Sequence, residues 1–266
     1  MKYLKILILF ILLLFIFDLK ASNPSLVSYQ SVYEIKLLEN EVKSRFGQPS
    51  LKDANGELLI DWFNNCDSWV SNQRMLISFL DKSGVGTVSD ISYSLVEDVK
   101  SEKMKFVLQV KENNMVVQRV RGEAIKDEEV EVKILMPKSK NIKFSKDVLF
   151  PHEHLKIILN SLGNEDMSIF SKQVYEGTLP DSFFNISTFI NKKSFKLEDI
   201  ELPKDVVNKF WDVRMAYYEG KSQTPSLELT AKMNQQGIVS YFKYDYPDYS
   251  LKMKLKKLVL MKDNCR

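Results

Sequence analysis

The sequence predicts a mainly β protein, built on a predominantly antiparallel sheet with one or two short helices packed against it. Short segments of alternating apolar and polar residues, rich in β-branched and aromatic side chains, recur along most of the chain. Turn residues separate these segments, and one segment changes to a helical period. No internal repeat, low-complexity linker or shift in composition marks a boundary, so a single domain over residues 22–266 is expected.

Seven strand candidates precede the helical segment. They are SVYEIKLLEN, ELLIDWFNN, WVSNQRMLISFL, TVSDISYSLV, KMKFVLQVKE, MVVQRVRGEA and EVEVKILMP, in chain order. Turn signals lie among them at Asn55-Gly56, at 81–86 and at Asn113-Asn114, and the last of these predicts a hairpin. Consecutive strands joined by short turns favour antiparallel pairing.

The segment FPHEHLKIILNSLGNED is the predicted helix. Its apolar residues recur at the 3.6-residue period, Pro151 suits a first helical turn, and Gly163 suits a C-terminal cap. Strands then resume in MSIFSKQVYEG, SFFNISTFIN, WDVRMAYYEG, LELTAKMNQ, IVSYFKYDYP and YSLKMKLKKLVLM. The stretch LPKDVVNKF, just before Trp211, stays open between a loop and a short helical turn.

Residues 1–21 have the pattern of a secretory signal peptide. Lys2 and Lys5 precede an unbroken apolar run at 6–17, and Ala21 offers a small residue for cleavage. A retained membrane anchor is the alternative. As a helix, however, the run would extend about 18 Å, well short of the roughly 30 Å hydrocarbon core of a bilayer. We therefore expect export, with cleavage after Ala21.

Two cysteines remain in the exported chain, Cys66 and Cys265. An oxidising compartment favours a disulfide between them, since no third cysteine competes. The bond would close a loop of about 200 residues and, on the chain-entropy model, would stabilise the fold by at most roughly 5 kcal/mol. Two buried free thiols are the alternative.

The charge balance excludes one class of partner. The whole chain carries a formal net charge of +3, and loss of residues 1–21 leaves it close to neutral. Nucleic-acid-binding proteins usually show a strong basic excess, so no nucleic-acid partner is expected.

No pattern in the sequence predicts catalytic chemistry. His152 and His154 suggest a metal site, but residues two apart on a helix point about 200° away from each other. A third histidine, a G-x-S-x-G elbow and a glycine-rich phosphate loop are all absent from the sequence. We therefore predict no catalytic residue, no metal and no cofactor.

The last strand candidate carries a stripe of lysines. In LKMKLKKL, Lys252, Lys254 and Lys256 alternate with apolar residues and so share one face of the strand. One interpretation is an edge strand or outer face kept soluble by lysine. The other is a cationic contact for an anionic ligand, such as lipid phosphate or lipopolysaccharide.

Several stretches together resemble a known family. They are CDSWVSNQR, VRGEA, FPHEHLKIIL, VYEG, WDVRMAYYEG, QQGIVSYFKYDYPDYSLKMKLKKL and the terminal NC. Their order and spacing resemble the EipB family (domain of unknown function DUF1849), periplasmic cell-envelope integrity proteins of alphaproteobacteria. The resemblance extends over nearly all of the mature chain.

The resemblance implies a fold and a location. The fold would be a β-spiral, a long antiparallel sheet wound into an open barrel-like shape, with the helix packed against it. The location would be the periplasm, and the two family cysteines map to Cys66 and Cys265. We further hypothesise that Trp69 packs beside their bond, while Gln73 and Arg74 hydrogen-bond across strands or line the mouth of the spiral. A purely structural role for all of them is the alternative.

Two functional hypotheses follow. The first, implied by the resemblance, is a non-enzymatic periplasmic protein that supports envelope integrity through contacts with other periplasmic envelope proteins. The second is a lipid or acyl-ligand carrier, in which the concave face of the sheet holds the apolar part and the lysine stripe meets its phosphate. A hydrolase is the least supported class, because no nucleophile, base and oxyanion donor assemble from motifs. The sequence leaves homo-oligomerisation open.

Overall fold

The computed structural model describes residues 26–38, 51–164 and 168–263. The predicted signal peptide at 1–21 and the predicted disulfide partner Cys265 lie outside these ranges. The described elements are β1 Tyr29–Leu37, β2 Leu51–Asn64, β3 Ser68–Asp81, β4 Gly86–Asp98, β5 Lys103–Glu112, β6 Met115–Lys126, β7 Glu129–Met136, β8 Lys140–Ser145, α1 Pro151–Ser161, β9 Ile169–Val174, β10 Phe184–Ile190, β11 Phe210–Glu219, β12 Leu227–Asn234, β13 Val239–Asp245 and β14 Ser250–Leu260.

The strands form one antiparallel sheet from two meanders. In the described part of the chain the sheet has 14 strands, in the order β8-β7-β6-β5-β4-β3-β2-β1-β14-β13-β12-β11-β10-β9. The first meander is β1–β8, the second is β9–β14, and the pairing of β1 with β14 joins them. The two edges are therefore β8 and β9, which follow each other in sequence with α1 between them.

The concave face of the sheet carries the core. Along β14, Leu251, Met253 and Leu255 are buried while Lys254 and Lys256 are exposed, as the alternation predicts. Residues of β2–β5 and of β10–β13 line one common cavity, so the first arm of the sheet (β1–β8) and the second arm (β9–β14) curl towards each other. This wound, open sheet confirms the predicted fold class.

Several local predictions are confirmed. Asn113 and Asn114 both have positive φ, at 48° and 66°, in the tight turn of the β5–β6 hairpin. Helix α1 starts at Pro151, and Gly163, with φ of 80°, follows its C-terminal end. The segment 202–209, which the sequence left open between a loop and a short helical turn, is irregular apart from a turn at 204–205.

Two expectations are corrected, and one strand was missed. Asn55-Gly56 is not a turn but lies inside β2, where a Cβ at Gly56 would stand 2.2 Å from the carbonyl oxygen of Leu76, so the glycine permits close approach of β3. The lysine-bearing β14 was expected to be an edge strand or to present an outer face; it is not an edge strand, because β1 and β13 flank it, but Lys254 and Lys256 do lie on its exposed outer face. The edge strand β8 was not predicted, since only Ile142 and Phe144 give it an apolar face.

The N-terminus of α1 is anchored by a buried carboxylate on β4. Glu97, 1% exposed, accepts the backbone N–H groups of His152 at 2.7 Å and of Glu153 at 3.2 Å. These are N–H groups that a helix leaves without intrahelical partners, and the helix dipole favours negative charge there. Burial raises the pKa of Glu97 to about 7, against the lowering effect of these hydrogen bonds.

Aromatic rings also hold the N-terminal end of α1. The rings of Trp62 on β2 and Trp69 on β3 are stacked, with their centroids 5.4 Å apart. The centroid of the His152 ring lies 5.9 Å from that of Trp62 and 5.3 Å from that of Trp69. Further along α1, Ile158 and Leu159 pack into the core of β9–β13. The helix therefore bridges the two arms on the concave face.

Within the described ranges, no helix is both long and apolar enough to cross a membrane.

His152→Phe should change how the stability of the protein depends on pH. Burial lowers the pKa of His152 from 6.5 to about 3, and neither ring nitrogen has a hydrogen-bond partner in the described residues. Between these two pKa values the unfolded chain binds a proton at His152 that the native protein does not bind. The wild type should therefore lose stability relative to the variant as pH falls from 6.5 to 4, by roughly 1.4 kcal/mol per pH unit.

Urea unfolding of both proteins across this pH range measures the difference. Trp69→Phe serves as the control, because it changes a ring in the same aromatic stack that does not titrate. Its free energy of unfolding should differ from that of the wild type by an amount that is independent of pH. A constant difference between wild type and His152→Phe would contradict the expectation.

Candidate functional site: an interior cavity

A cavity of about 670 Å³ lies between the two arms of the sheet. This volume falls within the range of ligand-binding pockets in proteins. The wall combines β2–β5 on one side, β10–β13 on the other, the start of α1 and the segment after β9. Its lining residues are Trp62, Ser71, Gln73, Ile91, Tyr93, Leu95, Leu108, Pro151, Leu155, Glu176, Thr178, Phe184, Tyr217, Glu219, Ser226, Leu227, Leu229, Tyr244 and Tyr246.

Strand alternation explains why these side chains meet. Inward positions along β4 are Ile91, Tyr93 and Leu95, which alternate with outward Ser92 and Ser94. The same alternation holds along the other strands of both arms, so the apolar and tyrosine faces of distant segments converge. The wall is mostly apolar and aromatic, with a small number of polar groups, as is usual for binding pockets.

Glu176 is the charged group of the inner wall. It is the second residue after the end of β9, and the Tyr93 hydroxyl donates a hydrogen bond of 2.6 Å to its backbone carbonyl. Burial raises the pKa of its carboxyl to about 7. The pKa values of Tyr93, Tyr217 and Tyr244 are also raised, first by burial and then by the negative charge of Glu176. The carboxyl therefore shares the cavity wall with three tyrosines from three different strands and influences each of them electrostatically.

The VYEG stretch places Glu176 in the wall. Its neighbour Tyr175 is fully buried and contacts the rings of Phe106 and Phe144 at 5.7 and 5.3 Å. Gly177 has φ of 76°, and a Cβ there would stand 2.3 Å from the Phe106 ring. A glycine is required at this point, because the backbone is left-handed and presses against an aromatic ring. Tyr175 and Gly177 thus fix the chain on either side of the acid.

The three residues singled out from the CDSWVSNQR stretch fall on both faces of β3. Trp69 and Gln73 face inwards, where Trp69 joins the aromatic stack at α1 and Gln73 lines the cavity. Arg74 faces outwards and donates hydrogen bonds of 3.0 and 3.1 Å to Asp90 on β4. The structure thus places them in two surroundings rather than in one site, and their functional role stays a prediction.

The lysine stripe lies on the convex face of β14, away from the cavity. Lys256 forms an ion pair with Glu34 on β1 at 3.2 Å. Lys252 pairs in register with Lys36 on β1 and with Lys243 on β13. Because the sheet separates this face from the interior, a ligand in the cavity cannot place its phosphate on Lys252, Lys254 or Lys256. That part of the carrier hypothesis is corrected by the geometry.

The predicted disulfide reaches beyond the described residues at one end. Cys66 lies in the turn between β2 and β3, with φ of 60°, and Cys265 is not among the described residues. Ser28 links the two regions, because its hydroxyl donates to the Asp263 carboxylate and accepts the backbone N–H of Asn64 at 2.9 Å. The pairing of the cysteines stays a prediction, and this arrangement favours it.

The histidines are separated, as the helical spacing predicts. His152 joins the tryptophan stack, while His154 contacts the ring of Phe170 at 6.2 Å. Among the residues that the structure describes, no group of three or more metal-ligating side chains comes together. Burial lowers the pKa of His154 to about 4, so both imidazoles are neutral near pH 7.

Sequence reasoning missed Glu176 and the tyrosines around it. The sequence did single out VYEG and, within QQGIVSYFKYDYPDYSLKMKLKKL, the stretch YFKYDYPDY, both as parts of the family resemblance. Tyr244 and Tyr246 from that stretch do line the cavity. In the sequence, Glu176 is a lone acid between Tyr175 and Gly177. Its place in a cavity wall can be recognised only when the opposite strands are in position.

Fold and cavity together define a class of protein: an open, barrel-like β-spiral with a ligand-sized interior. A family model described as EipB-like matches residues 20–262, and the chain belongs to the EipB-like family. A relative, the cell envelope integrity protein EipB of Brucella abortus (strain 2308), is 24% identical over 251 residues, which cover 90% of this chain and 85% of the relative.

A solved structure has the same fold. It is the crystal structure of a beta-barrel-like protein of domain of unknown function DUF1849 from Brucella abortus. It matches with a TM-score of 0.80 at 20% identity, and the match covers 90% of this chain and 99% of that chain. The match of the family model over residues 20–262 confirms the family resemblance found in the sequence, and this structure shows that the fold is shared.

Gly177→Ala should destabilise the protein more than Gly84→Ala. Both glycines have positive φ, at 76° and 89°, but a Cβ at Gly84 meets no atom within 4 Å. We expect a loss of about 1 kcal/mol at Gly84, from backbone strain alone, and of roughly 3 kcal/mol at Gly177, where the Phe106 ring must also move. Chemical denaturation of the two variants measures both values, and equal losses would argue against close packing at Gly177.

Proposed function

We propose that this protein is exported to the periplasm and supports cell-envelope integrity as a non-enzymatic protein that binds a lipid or acyl ligand inside its β-spiral. The cavity of about 670 Å³ carries the proposal, because its mostly apolar wall suits the apolar part of such a ligand. The envelope role is supported by the name of the Brucella abortus relative, cell envelope integrity protein EipB. The apolar run at 6–17 supports export.

A binding role suits the wall better than a catalytic one. Ser71, Thr178 and Ser226 line the cavity, but the histidines are held elsewhere by aromatic packing. A serine nucleophile needs a base within hydrogen-bond reach, and His152 and His154 face the tryptophan stack and Phe170 instead. Neither a metal nor a cofactor is part of this proposal.

A second candidate function is contact with other periplasmic envelope proteins. The convex face of β2–β5 forms a shallow groove that contains Arg74 and the exposed apolar side chains of Leu59 and Val107, which are 43% and 41% exposed. Protein interfaces commonly combine arginine with apolar side chains in this way. This face is separate from the cavity, so the two candidate functions are compatible.

Leu108→Trp should abolish ligand retention. Leu108 on β5 is 7% exposed and lines the cavity, so a larger ring would occupy ligand space. Native mass spectrometry of protein isolated from its own periplasm should show a ligand-loaded mass for the wild type and an unloaded mass for the variant.

The neighbouring position offers a matched control. Val107→Trp places the same ring on the convex face and should keep the ligand-loaded mass. An unloaded wild type would contradict the binding proposal, provided that thermal melting shows all three proteins to be folded.

Arg74→Ala tests the partner-contact candidate. The Arg74–Asp90 ion pair is largely exposed on its arginine side, and exposed pairs contribute little to stability. The melting temperature should therefore hardly change, while complementation of an envelope defect in a deletion strain should fall. Lys143→Ala removes another exposed cross-strand ion pair, with Glu129 and Glu131, and should complement fully. Full complementation by Arg74→Ala would leave Arg74 with a structural role alone.

A further inference from the structure

The charge of the cavity wall selects among amphiphilic ligands. Glu176 and Glu219 both line the cavity, and none of the described lining residues is lysine, arginine or histidine. Glu219 is exposed, so it lies where the cavity meets solvent, whereas Glu176 lies on the inner wall. An anionic head group inside would meet negative charge without a compensating cation, while a positively charged group would supply the partner that Glu176 lacks on this wall.

The aromatic groups around Glu176 favour the same sign of charge. Tyr93, Tyr217 and Tyr244 line the cavity together with Glu176 and lie within electrostatic reach of its carboxyl, and Tyr246 and Trp62 add two further rings to the wall. The faces of aromatic rings carry negative electrostatic potential and attract ammonium groups, as in the aromatic cages that bind choline. A carboxylate among such rings combines the two interactions that recognise an ammonium ion.

The remainder of the wall defines the rest of the ligand. Leu95, Leu108, Leu155 and Leu229 line the cavity, together with Phe184. These side chains offer no charge and suit a hydrocarbon chain. We propose that the cavity takes an amphiphile whose ammonium group is held by Glu176 among Tyr93, Tyr217 and Tyr244 and whose hydrocarbon chain lies against these leucines. This inference rests on the proposed binding function and adds the chemical class of the ligand.

The proposal makes binding dependent on pH. Burial raises the pKa of Glu176 to about 7, so the carboxyl becomes ionised between about pH 6 and pH 8. Tyr93, Tyr217 and Tyr244 face it with pKa values that burial raises far above this range, and they stay neutral. Glu97 on β4 titrates near the same pH, but it holds the N-terminus of α1. Affinity for an ammonium ligand should rise with pH as Glu176 ionises.

Three dodecyl amphiphiles with different head groups test this inference on the mature chain after removal of its native ligand. They are dodecyltrimethylammonium, dodecyl maltoside and dodecyl sulfate, used below their micelle concentrations and followed by calorimetry. At pH 8 the cationic probe should bind about tenfold more tightly than the neutral probe, and the sulfate should bind most weakly. From pH 6 to pH 8 the affinity for the cationic probe should rise.

Glu176→Gln isolates the charge at nearly constant size. It should reduce the affinity for the cationic probe about tenfold, remove the pH dependence and leave the affinity for the maltoside unchanged. Glu219→Gln, the same change at the exposed acid, should have a smaller effect. Because the probe preference of the wild type is itself a readout, the test stands even if Glu176→Gln does not fold.

The outcomes separate this inference from the proposed function. If the maltoside binds and Leu108→Trp prevents it, but the cationic probe binds no better, the cavity is a binding site and the ammonium assignment is wrong. Tighter binding of the sulfate, or a cationic affinity that falls from pH 6 to pH 8, would overturn the assignment too. If no probe binds and the periplasmic protein carries no ligand, both proposals fail.

Discussion

The rest of the described structure depends on the pairing of β1 with β14, which joins the two meanders into one sheet. Tyr29–Leu37 lies against Leu251–Leu260 in antiparallel register, and each strand is the inner end of one meander. The hydroxyl groups of Tyr29 and Tyr33 strengthen the junction by donating to the carbonyls of Gly237 and Val239, at 3.1 and 2.7 Å. Because this pairing joins residues far apart in sequence, the cavity can form only after both ends of the chain have been brought together.

The helix occupies the place where the sheet stays open. The edges β8 and β9 do not pair with each other in the described residues; instead Leu149, just before α1, forms a parallel bridge with Val174 at the end of β9. A carboxylate and two tryptophans from the first arm hold one end of the helix, and the core of the second arm holds the other end. Helix α1 therefore fixes the distance between the arms, and the cavity depends on that distance.

Local patterns predicted the elements well wherever their cause was local. The β5–β6 hairpin follows from Asn113-Asn114, two residues that tolerate positive φ. The helix follows from its period, from Pro151 and from Gly163. At Gly56 the same reasoning failed, because the close approach of the β3 backbone, and not a turn, requires a glycine there. A glycine whose role is close approach cannot be distinguished in sequence from one whose role is a turn.

The sequence by itself determined the alternation of faces, the hairpins, the helix and the family resemblance, because strand and helix periods are properties of neighbouring residues. It correctly predicted that Lys252, Lys254 and Lys256 share one face. Only the tertiary structure decided that this face is convex and that Glu176 lines the same cavity as tyrosines from β4, β11 and β13. Periodicity states which side chains share a face, whereas the winding of the sheet determines which faces meet.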